Sequence, residues 1–497
     1  MTTVSEAFDG VAARQPAALA LVDGDMRLSY AQLAALRDEI ARHFRTSFGL
    51  AAGDRVGLCL PNGWEFVAGF LALAKLAAVL VPLPPNSRGR EIVSYIRMLD
   101  PRTIVAPGEL QQRWTEAGLA VEQFIPSETL PCPLPAGGCP LEPGGSRKQE
   151  QADGQTIAAL LLTSGSSGSP KIVPRSHRNL LCGAANVGQA LGPLRGKRFL
   201  GVVPFFHANG FANNMLLPIV HGGQLFIVRR FLPAKVLELI AQHQIQVLVG
   251  SPFLFKSLAE LPSRPPDALS AIQICLSSGG PMSPGLTQFC LEKLGIRVRQ
   301  LYGSTETGTI SIETADQPAT RVTAGRPLPG VQIMIQPASD SGHERSGIGE
   351  ILVKSEAAMR GYWSRTGDEP APLLNGYLRT GDLGRMDEQG NIELCGRLKR
   401  FINAYGVKID PAEIEAVVRE LPGVTDCAVS GVDSGDGPEI VRAVIGIQPG
   451  VHLERAAIIE HCRRHLSEHK IPRIIEIMEG PLMSITGKRR ATEPGSL

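Results

Sequence analysis

A run of small polar residues at 163–171 carries the clearest chemical signal in the chain. It follows the apolar segment 157–162, whose length and aliphatic character predict a buried strand. Serine, threonine and glycine bury little apolar surface, but they leave backbone N–H groups and hydroxyls open to phosphate oxygens. The run therefore predicts a phosphate-binding loop rather than a flexible linker, although it is not the G-x-x-x-x-G-K-[ST] loop. The predicted phosphate ligands are Thr163, Ser164, Gly165, Ser166, Ser167, Gly168 and Lys171.

Three other segments carry side chains suited to a nucleotide. Residues 302–308 combine the aromatic ring of Tyr302 with two hydroxyls and Glu306, which suits base stacking and Mg²⁺ binding, although a plain β-turn is the alternative. Asp382 could bridge the two neighbouring hydroxyls of a ribose. Lys488 lies beside Gly487 near the end of the chain, where a single lysine is usually a surface residue. Each of these three segments is weak evidence for a nucleotide site by itself, so the prediction depends on their occurring together in one chain.

Composition limits the class of protein. A chain of 497 residues exceeds one hydrophobic core, so more than one domain is expected. A net charge of +2 argues against nucleic acid or a membrane surface as the main partner. The nine cysteines are scattered with no C-x-x-C pair, which predicts reduced thiols in the cytoplasm. Residues 66–83 are apolar, but Lys75 interrupts them and Pro82 closes them, so a buried helix and strand are expected instead of a membrane span.

The order of elements predicts the fold class. Up to about residue 301, strands alternate with helices, which indicates a parallel α/β sheet. Residues 130–155 have the composition of a surface linker. Residues 322–394 have short strands and glycine-rich turns, typical of a small β-barrel or sheet, and the chain beyond Arg397 predicts a compact α+β unit. We therefore expect a large α/β N-terminal domain (two βα subdomains plus a small β-barrel) and a mobile α+β C-terminal lid domain.

Taken together, these segments resemble the adenylate-forming (ANL) superfamily, which holds acyl- and aryl-CoA synthetases, adenylation domains and firefly-type luciferases. The resemblance extends from residue 29 to Lys488. It implies an N-terminal domain at 1–396, a hinge at 397–399 containing Lys399, and a lid domain at 400–497. Further matching segments are 204–207, 278–281, 325–330, 349–351, 361–363 and 403–415.

The resemblance implies a two-step ligase. A carboxylate first attacks the α-phosphorus of ATP, giving acyl-AMP and pyrophosphate, and a thiol then displaces AMP. In this scheme the loop at 163–171 holds the β- and γ-phosphates, Thr305 lies near the α-phosphate and Glu306 holds Mg²⁺. Lys488 would contact both the acid and the α-phosphate. Other nucleotide-binding residues would be Gly279, Gly280, Tyr302, Gly303, Ser304, Asp382 and Arg397, and the thiol half-reaction would use Tyr405, Gly406 and Lys408.

The same resemblance predicts the acid pocket. Ala208 stands where adenylation domains for α-amino acids carry an aspartate, and Tyr302 stands where acetate enzymes carry a tryptophan. We therefore expect a medium aliphatic or aromatic acid, with Asn213 and Asn214 either binding a polar tail or facing water. The acceptor is coenzyme A or the phosphopantetheine of a separate carrier protein, and a homodimer is left open. The predicted pocket residues are Phe206, His207, Ala208, Asn209, Phe211 and Ser278.

Three other functions are disfavoured. A serine hydrolase could use residues 221–223 as an oxyanion loop, but no G-x-S-x-G motif occurs. A metal enzyme could use residues 465–469, which match H-x-x-E-H, with His461 continuing the stripe; a solvated helix face is the preferred interpretation. A catalytically inactive nucleotide-binding module is disfavoured because Glu306, Asp382 and Lys488 are all present.

Overall fold

The computed structural model describes residues 2–87, 89–116, 123–132, 152–163, 171–262, 269–313, 323–337, 347–397, 402–404, 407–432, 439–448 and 450–479. Contacts divide the chain into two units. The first contains Met1–Pro85, Tyr95–Thr163 and Lys171–Leu398, and the second includes Asn86–Ser94 and Lys399–Leu497.

The strands before residue 398 are, in chain order, β1 (Leu19–Asp23), β2 (Met26–Ser29), β3 (Arg55–Leu58), β4 (Val79–Pro82), β5 (Thr103–Ala106), β6 (Gln123–Pro126), β7 (Ile157–Thr163), β8 (Lys171–Ser176), β9 (Arg198–Gly201), β10 (Gln224–Ile227), β11 (Val247–Gly250), β12 (Ile274–Ser277), β13 (Arg299–Ser304), β14 (Gly308–Ile312), β15 (Arg326–Pro327), β16 (Val331–Pro337), β17 (Gly349–Ser355), β18 (Gly361–Tyr362), β19 (Glu369–Pro370), β20 (Leu373–Leu374), β21 (Tyr377–Met386) and β22 (Ile392–Arg397).

The helices of the same part of the chain are α1 (Val4–Arg14), α2 (Tyr30–Phe48), α3 (Trp64–Lys75), α4 (Gly89–Leu99), α5 (Gly108–Glu116), α6 (His177–Leu191), a π-helix (Gly210–Leu216), α7 (Leu217–His221), α8 (Pro233–His243), α9 (Pro252–Ala259) and α10 (Pro284–Leu294). The later elements are β23 (Ile402–Ala404), β24 (Val407–Ile409), α11 (Pro411–Arg419), β25 (Val424–Val432), β26 (Ile440–Ile447), α12 (Arg455–His465) and β27 (Ile474–Glu479).

Two α/β sheets make up most of the described part of the first unit. One has the order β6-β5-β3-β4-β7-β8 and is parallel except for the β7–β8 hairpin. The other has the order β15-β14-β13-β12-β11-β9-β10-β1-β2, with parallel strands in the middle and antiparallel pairs at both edges. The region predicted as a small β-barrel or sheet is an antiparallel sheet, in which β16, β17 and β21 are neighbours and β20 and β22 pair with β21. The predicted α/β class is confirmed.

Local sequence signals set the helix starts. Ser29 Oγ accepts a hydrogen bond from the backbone N–H of Gln32, and the Gln32 side chain accepts one from the backbone N–H of Ser29, so a capping box opens α2. Ser176 caps α6 in the same way. The apolar segment 66–83 forms α3 and β4, as predicted, and its helix is buried along nearly its whole length. Among the described residues, no helix has both the length and the hydropathy needed to cross a membrane.

One hydrophobic core fixes the strands that carry the candidate site. It contains Leu276 and Leu301 from β12 and β13, together with Ile351 and Val353 from β17 of the antiparallel sheet. All four side chains are buried. This packing holds the nine-stranded sheet against the antiparallel sheet, so that residues far apart in sequence keep a fixed separation.

The second unit has its own small core. Strands β25, β26 and β27 form a sheet, and helices α11 and α12 supply the buried residues Ile414, Val418, Ile458 and Cys462. Helix α12 ends at His465, and Glu468–Lys470 form a separate 3₁₀ turn. The H-x-x-E-H match therefore does not lie on one continuous helix, because only its first histidine belongs to α12. Nor are His461 and His465 on a solvated face, because both are half-buried and His461 Nε2 lies 3.1 Å from the Val417 carbonyl oxygen.

His177 makes the stability of the first unit sensitive to acid. Its ring is fully buried, its Nδ1 accepts a hydrogen bond from the backbone N–H of Val4 at 3.2 Å, and burial lowers the pKa of His177 to about 4. Between pH 6.5 and 4 the unfolded chain binds a proton here that the folded chain does not. Stability therefore rises with pH across this window and is lost as pH falls, by up to about 3 kcal/mol from this residue.

We expect His177→Asn, which keeps an acceptor near the position of Nδ1, to flatten the fall in the free energy of unfolding between pH 7.5 and 5. Urea denaturation at several pH values measures this slope. Part of the slope should remain, since burial also lowers the pKa of His469 to about 4. His452→Asn, at an exposed position, serves as the control. An unchanged slope in His177→Asn would contradict the assignment.

Candidate active site

The candidate site lies where parallel strands of the nine-stranded sheet end. Strands β9, β11, β12 and β13 are consecutive parallel neighbours, so the segments that follow them emerge at the same edge of the sheet. Those segments contain the predicted pocket residues after β9 and the glycine pair after β12. Ligands of open α/β sheets bind at this edge. The topology thus brings together three segments selected from the sequence: these two and the segment 302–308 at the end of β13.

Tyr302 and Asp382 form a direct pair. The Tyr302 hydroxyl donates a hydrogen bond to Asp382 Oδ2 at 2.8 Å, and both residues are 6% exposed. Tyr302 lies on β13 and Asp382 on β21, so the contact joins two different sheets. The backbone N–H of Asp382 also donates to Thr380 Oγ1. The two residues predicted to bind adenine and ribose are therefore neighbours, with the aromatic ring and the carboxylate held in one place.

The strand β21 also places Asp382 opposite Arg397. These two residues are direct partners in the β21–β22 register. The segment before Asp382 is fixed by Glu350, whose carboxylate accepts from the backbone N–H of Gly381 at 3.1 Å and pairs with Arg379 at 2.5 Å. Gly381 has a φ of +72°, which glycine adopts without strain. Asp382 therefore lies within a strand, paired with Arg397 on one side and next to an irregularity in the β17–β21 register on the other.

Gln300 fixes the glycine pair next to β13. Its side-chain amide donates to the Gly280 carbonyl at 3.1 Å and to the Ser277 carbonyl at 3.3 Å. Its amide oxygen accepts from the backbone N–H of Met282 at 2.9 Å. Gln300 is itself 5% exposed. A single buried amide thus sets the position of Gly279 and Gly280 relative to the strand that carries Tyr302.

The segment 302–308 is part strand and part turn. Residues Tyr302, Gly303 and Ser304 extend β13, because they pair with the antiparallel strand β14. The predicted strand end at residue 301 was therefore too early. A side chain at Gly303 would place its Cβ 2.3 Å from the Gly308 carbonyl oxygen, so only glycine fits there. Ser304 and Thr307 hydrogen-bond each other through side chains and backbone, which closes the turn that carries Thr305 and Glu306.

Arg175 holds this turn from the other sheet. Its guanidinium Nη1 donates to the Thr305 carbonyl at 2.9 Å and the Glu306 carbonyl at 3.3 Å, and the residue is 4% exposed. Burial lowers the pKa of Arg175 to about 10, so the side chain remains charged at neutral pH. Arg175 lies on β8, the strand that starts at the end of the predicted phosphate loop. It therefore links the strand β8 to the turn bearing Glu306.

Lys171 and Glu306 lie on either side of Tyr362. The Lys171 Nζ is 4.3 Å from the centroid of the Tyr362 ring, and the Tyr362 hydroxyl donates to Glu306 Oε1 at 3.4 Å. The neighbouring Trp363 is fixed by a backbone hydrogen bond to the Ile172 carbonyl at 2.9 Å. Lys171 also lies 3.8 Å from the exposed Glu369. Lys171, which ends the predicted phosphate loop, and Glu306, the predicted metal ligand, thus both contact the same tyrosine.

The surroundings of Glu306 fit a hard divalent cation. Within the described residues its carboxylate forms no ion pair, and it accepts one long hydrogen bond, from Tyr362. It is half-buried, so one face remains open to a ligand. Carboxylate and phosphate oxygens are the ligands that Mg²⁺ takes in phosphate-binding sites. One protein carboxylate beside a phosphate loop is a typical donor set for this ion.

The residues predicted to line the acid pocket differ in how deeply they are buried. Phe206 and His207 are half-buried, with ring centroids 4.3 Å apart, beside the half-buried Ala208 and Asn209. Phe211 is instead fully buried and packs edge-to-face on Phe70 at 4.8 Å. It belongs to the hydrophobic core that also contains Phe70 of α3, and it is one of the buried residues of the π-helix.

The two asparagines on the π-helix do not face water. Asn214 is 1% exposed, and its Oδ1 accepts from the backbone N–H groups of Val202 and Val203, so it fixes the chain after β9. Asn213 is 6% exposed and donates to Asn209 Oδ1 at 3.0 Å, with Thr309 Oγ1 at 3.4 Å. Asn214 is therefore a structural residue, and Asn213 ties the predicted pocket segment to β14.

Several predicted residues lie outside the described part of the chain. They are Ser164, Gly165, Ser166, Ser167, Gly168, Lys399, Tyr405, Gly406 and Lys488. Thr163 and Lys171, which flank the loop, are direct partners in the β7–β8 hairpin. Arg397 and Lys408 are described by their backbones on β22 and β24. Ser278 follows β12, with its N–H donating to the Gly250 carbonyl at 3.0 Å.

Sequence reasoning did not assign roles to Arg175, Gln300 and Tyr362. An arginine on a strand is usually exposed, and nothing local marks it as buried. Gln300 lies between Arg299 and Leu301, and no local pattern marks it as buried. Tyr362 belongs to a matching segment, but its position between Lys171 and Glu306 depends on the tertiary structure.

We expect Arg175→Met to lower kcat/KM for ATP about thirtyfold, because two charge-assisted hydrogen bonds that order the Thr305–Glu306 turn are lost, at about 2 kcal/mol. The apparent affinity for Mg²⁺ should weaken as well, and Arg175→Lys should restore part of both. Steady-state kinetics at several Mg²⁺ concentrations, with Tm measured in parallel, test this. Arg178→Met, which removes an arginine paired with Glu356 at the surface, is the matched control. A drop in Tm with unchanged Mg²⁺ dependence would contradict the positioning role.

Comparison with known proteins agrees with this geometry. Residues 8–363 match the model of the AMP-binding enzyme family, and residues 413–488 match the AMP-binding enzyme C-terminal domain. Because the first match covers more than half of the chain, the chain belongs to the AMP-binding enzyme family.

Relatives agree with this assignment over nearly the whole chain. The 3-[(3aS,4S,7aS)-7a-methyl-1,5-dioxo-octahydro-1H-inden-4-yl]propanoyl:CoA ligase of Rhodococcus jostii is 28% identical, over 98% of this chain and 97% of that protein. The mitochondrial medium-chain acyl-CoA ligase ACSF2 of Mus musculus is 28% identical, over 98% of this chain and 86% of that protein. Among solved structures, o-succinylbenzoate CoA synthetase (MenE) from Bacillus subtilis superposes with a TM-score of 0.85 at 24% identity, over 97% of each chain. This last likeness shows the fold.

Proposed function

We propose that the protein is an AMP-forming acid–thiol ligase that activates a medium aliphatic or aromatic carboxylic acid and transfers it to coenzyme A. In the first step a carboxylate oxygen attacks the α-phosphorus of ATP, the bond to the bridging oxygen breaks, and pyrophosphate leaves. In the second step the thiol attacks the acyl carbon, AMP leaves, and the thiol proton goes to solvent. The acid class and the thiol are the parts of this proposal that go furthest beyond the family assignment.

The observation that carries the proposal is the position of Arg175. It joins the strand after the serine-rich segment to the turn bearing Thr305 and Glu306, across 130 residues of sequence. This contact supports a site in which triphosphate, metal and adenylate groups are bound by neighbouring segments. The Tyr302–Asp382 pair supports nucleoside binding at the same strand ends.

The proposed roles follow from these contacts. Asp382 accepts hydrogen bonds from the ribose hydroxyls, Tyr302 packs on the adenine with Gly279 and Gly280, and Glu306 is the protein ligand of the cation. Bound Mg²⁺ would offset the negative charge on the phosphates. Lys488 contributes charge at the α-phosphate, and residues 405–408 take part in the thiol step. The division into domains at 1–396 and 400–497, with a hinge at Lys399, belongs to the same proposal.

A polar cluster beside the predicted pocket helps to define which carboxylic acid the protein would bind. Asn209, Asn213 and Thr309 are joined by hydrogen bonds next to the half-buried rings of Phe206 and His207. An apolar body with one polar group would match this surface better than a plain alkyl chain. The relatives whose names specify ring-containing and medium-chain acids support the same range of sizes. The scattered cysteines, of which the eight in the described residues are all free, support a cytoplasmic location.

A panel of carboxylic acids tested by ATP–pyrophosphate exchange examines the first half-reaction. The expected products are AMP and pyrophosphate, and the best acids should be aromatic or medium-chain. Adding coenzyme A or a phosphopantetheinylated carrier protein to separate reactions then identifies the acceptor. Release of ADP and orthophosphate would overturn the reaction class. Transfer to the carrier protein but not to coenzyme A would replace the proposed acceptor with the carrier-loading alternative.

A further inference from the structure

A cluster of potential metal ligands lies in the second unit, on residues that the ligase reaction does not use. His461 and His465 are four residues apart on α12, which places both rings on one face of the helix. Their rings meet edge-to-face, with centroids 4.7 Å apart. Glu420 directly follows α11, and its Oε2 lies 3.9 Å from His461 Nε2. Three side chains from two elements therefore converge on one point.

The distances are close to those of a coordination shell. One ligand atom from each of the three residues can be chosen so that all lie within 4.8 Å of one another. Around a tetrahedral zinc ion with bonds of about 2.0–2.2 Å, ligand atoms are roughly 3.3–3.5 Å apart. The Glu420 side chain is 43% exposed, so it can rotate and bring its carboxylate oxygen to the shorter distance from the imidazole nitrogens that a zinc ion requires. Binding through His461 Nε2 would replace its contact with the Val417 carbonyl.

The donor set selects the type of ion. Two imidazoles and one carboxylate suit zinc and neighbouring transition metals, whereas Mg²⁺ and Ca²⁺ prefer oxygen ligands alone. Three protein ligands leave a fourth position for water. The backbone that carries these ligands is fixed, because Val418 of α11 and Ile458 and Cys462 of α12 pack in the same core and are fully buried.

We propose that Glu420, His461 and His465 form a binding site for a transition-metal ion, zinc by preference. An ion bound there connects the end of α11 to the last turn of α12. Because it binds the folded unit more tightly than the separated side chains, it raises the stability of this unit, and above the Kd the gain grows with the logarithm of the metal concentration. The proposal does not depend on the ligase reaction, so its failure would leave the proposed function unaffected.

The test uses the full-length protein freed of metal with EDTA and exchanged into metal-free buffer. Isothermal titration with ZnCl₂ should give one ion per chain, and Tm should rise with zinc and fall again when EDTA is added. MgCl₂ at the same concentration should neither bind at this site nor compete. With Co²⁺ in place of zinc, a visible absorption band of four-coordinate cobalt should appear.

Three single variants identify the ligands. His461→Ala, His465→Ala and Glu420→Gln should each weaken zinc binding at least about tenfold. Glu420→Gln changes an exposed side chain, so its folding is not at risk. His452→Ala, at an exposed position in the same unit, is the matched control and should bind like the wild type. Zinc affinity unchanged in His465→Ala and Glu420→Gln, or the absence of stoichiometric zinc binding to the wild type, would overturn the proposal.

Discussion

Replacing Lys488 by alanine is expected to reduce acid-dependent ATP–pyrophosphate exchange by about two to three orders of magnitude. Negative charge builds on the α-phosphate as the carboxylate attacks, and a preorganised charge at that point is worth roughly 3–4 kcal/mol. Formation of the thioester from supplied acyl-AMP should continue near the wild-type rate, because the second half-reaction starts from acyl-AMP and does not include the attack on the α-phosphorus. Measuring the two half-reactions separately on one preparation gives the comparison.

The matched control for this variant is Arg489→Ala, which removes the neighbouring positive charge and keeps Lys488. It should retain most of the exchange activity, because the proposed contact is specific to one side chain. If Lys488→Ala lost both half-reactions to the same extent, the residue would not have the role assigned to it.

Replacing Glu306 by glutamine is expected to reduce pyrophosphate exchange about a hundredfold and to raise the Mg²⁺ concentration needed for half-maximal rate. The amide keeps the shape and the hydrogen bond from Tyr362 but removes the charge that a divalent cation requires. The carbonyl of residue 306 still accepts from Arg175, so the turn should stay in place. Exchange rates at a series of Mg²⁺ concentrations and at saturating ATP measure both effects.

Glu356→Gln provides the control, since this carboxylate is 62% exposed and pairs with Arg178 at the surface. It should leave both the rate and the Mg²⁺ dependence unchanged. A Glu306→Gln enzyme that is slow but needs no more Mg²⁺ than the wild type would show that Glu306 acts otherwise than as a cation ligand.

The predictions for Arg175 and Glu306 distinguish the effect of the position of the Glu306 carboxylate from the effect of its charge. Arg175→Met leaves the carboxylate present but frees the turn that carries it, whereas Glu306→Gln leaves the turn fixed but removes the charge. Both should weaken the apparent affinity for Mg²⁺, yet only the first should be rescued by a conservative change, to lysine. The comparison therefore tests whether the buried arginine acts through the glutamate.

Some features of the site were predictable because they depend on neighbouring residues. The capping box joins Ser29 and Gln32, which are three positions apart, and the serine-rich segment is recognised from its composition alone. Asp382 was predicted as a ribose ligand without a position in a strand. Its place in β21 depends on hydrogen bonds to β17 and β22, which no short stretch of sequence specifies.

Burial was the other property that local patterns did not reveal. Phe211 was expected in the acid pocket, but the π-helix turns its ring onto Phe70 in the core. Arg175 has the residue type of a surface position and is almost fully buried. In both cases the side chain's environment is made by elements distant in sequence, so residue type alone gave the wrong expectation or none.

The amino-acid sequence by itself determined the α/β class, the starts of the main helices, the order of the nucleotide-type segments and the membership of the adenylate-forming superfamily. Only the tertiary structure decided that the Tyr302 hydroxyl bonds Asp382 across 80 residues and that Arg175 holds the Glu306 turn across 130. The physical reason is the separation in sequence between the residues whose contacts stabilise each feature. Caps, apolar runs and glycine-rich loops are stabilised by contacts within a few residues, whereas these two bonds exist because sheet order and a shared core bring distant strands together.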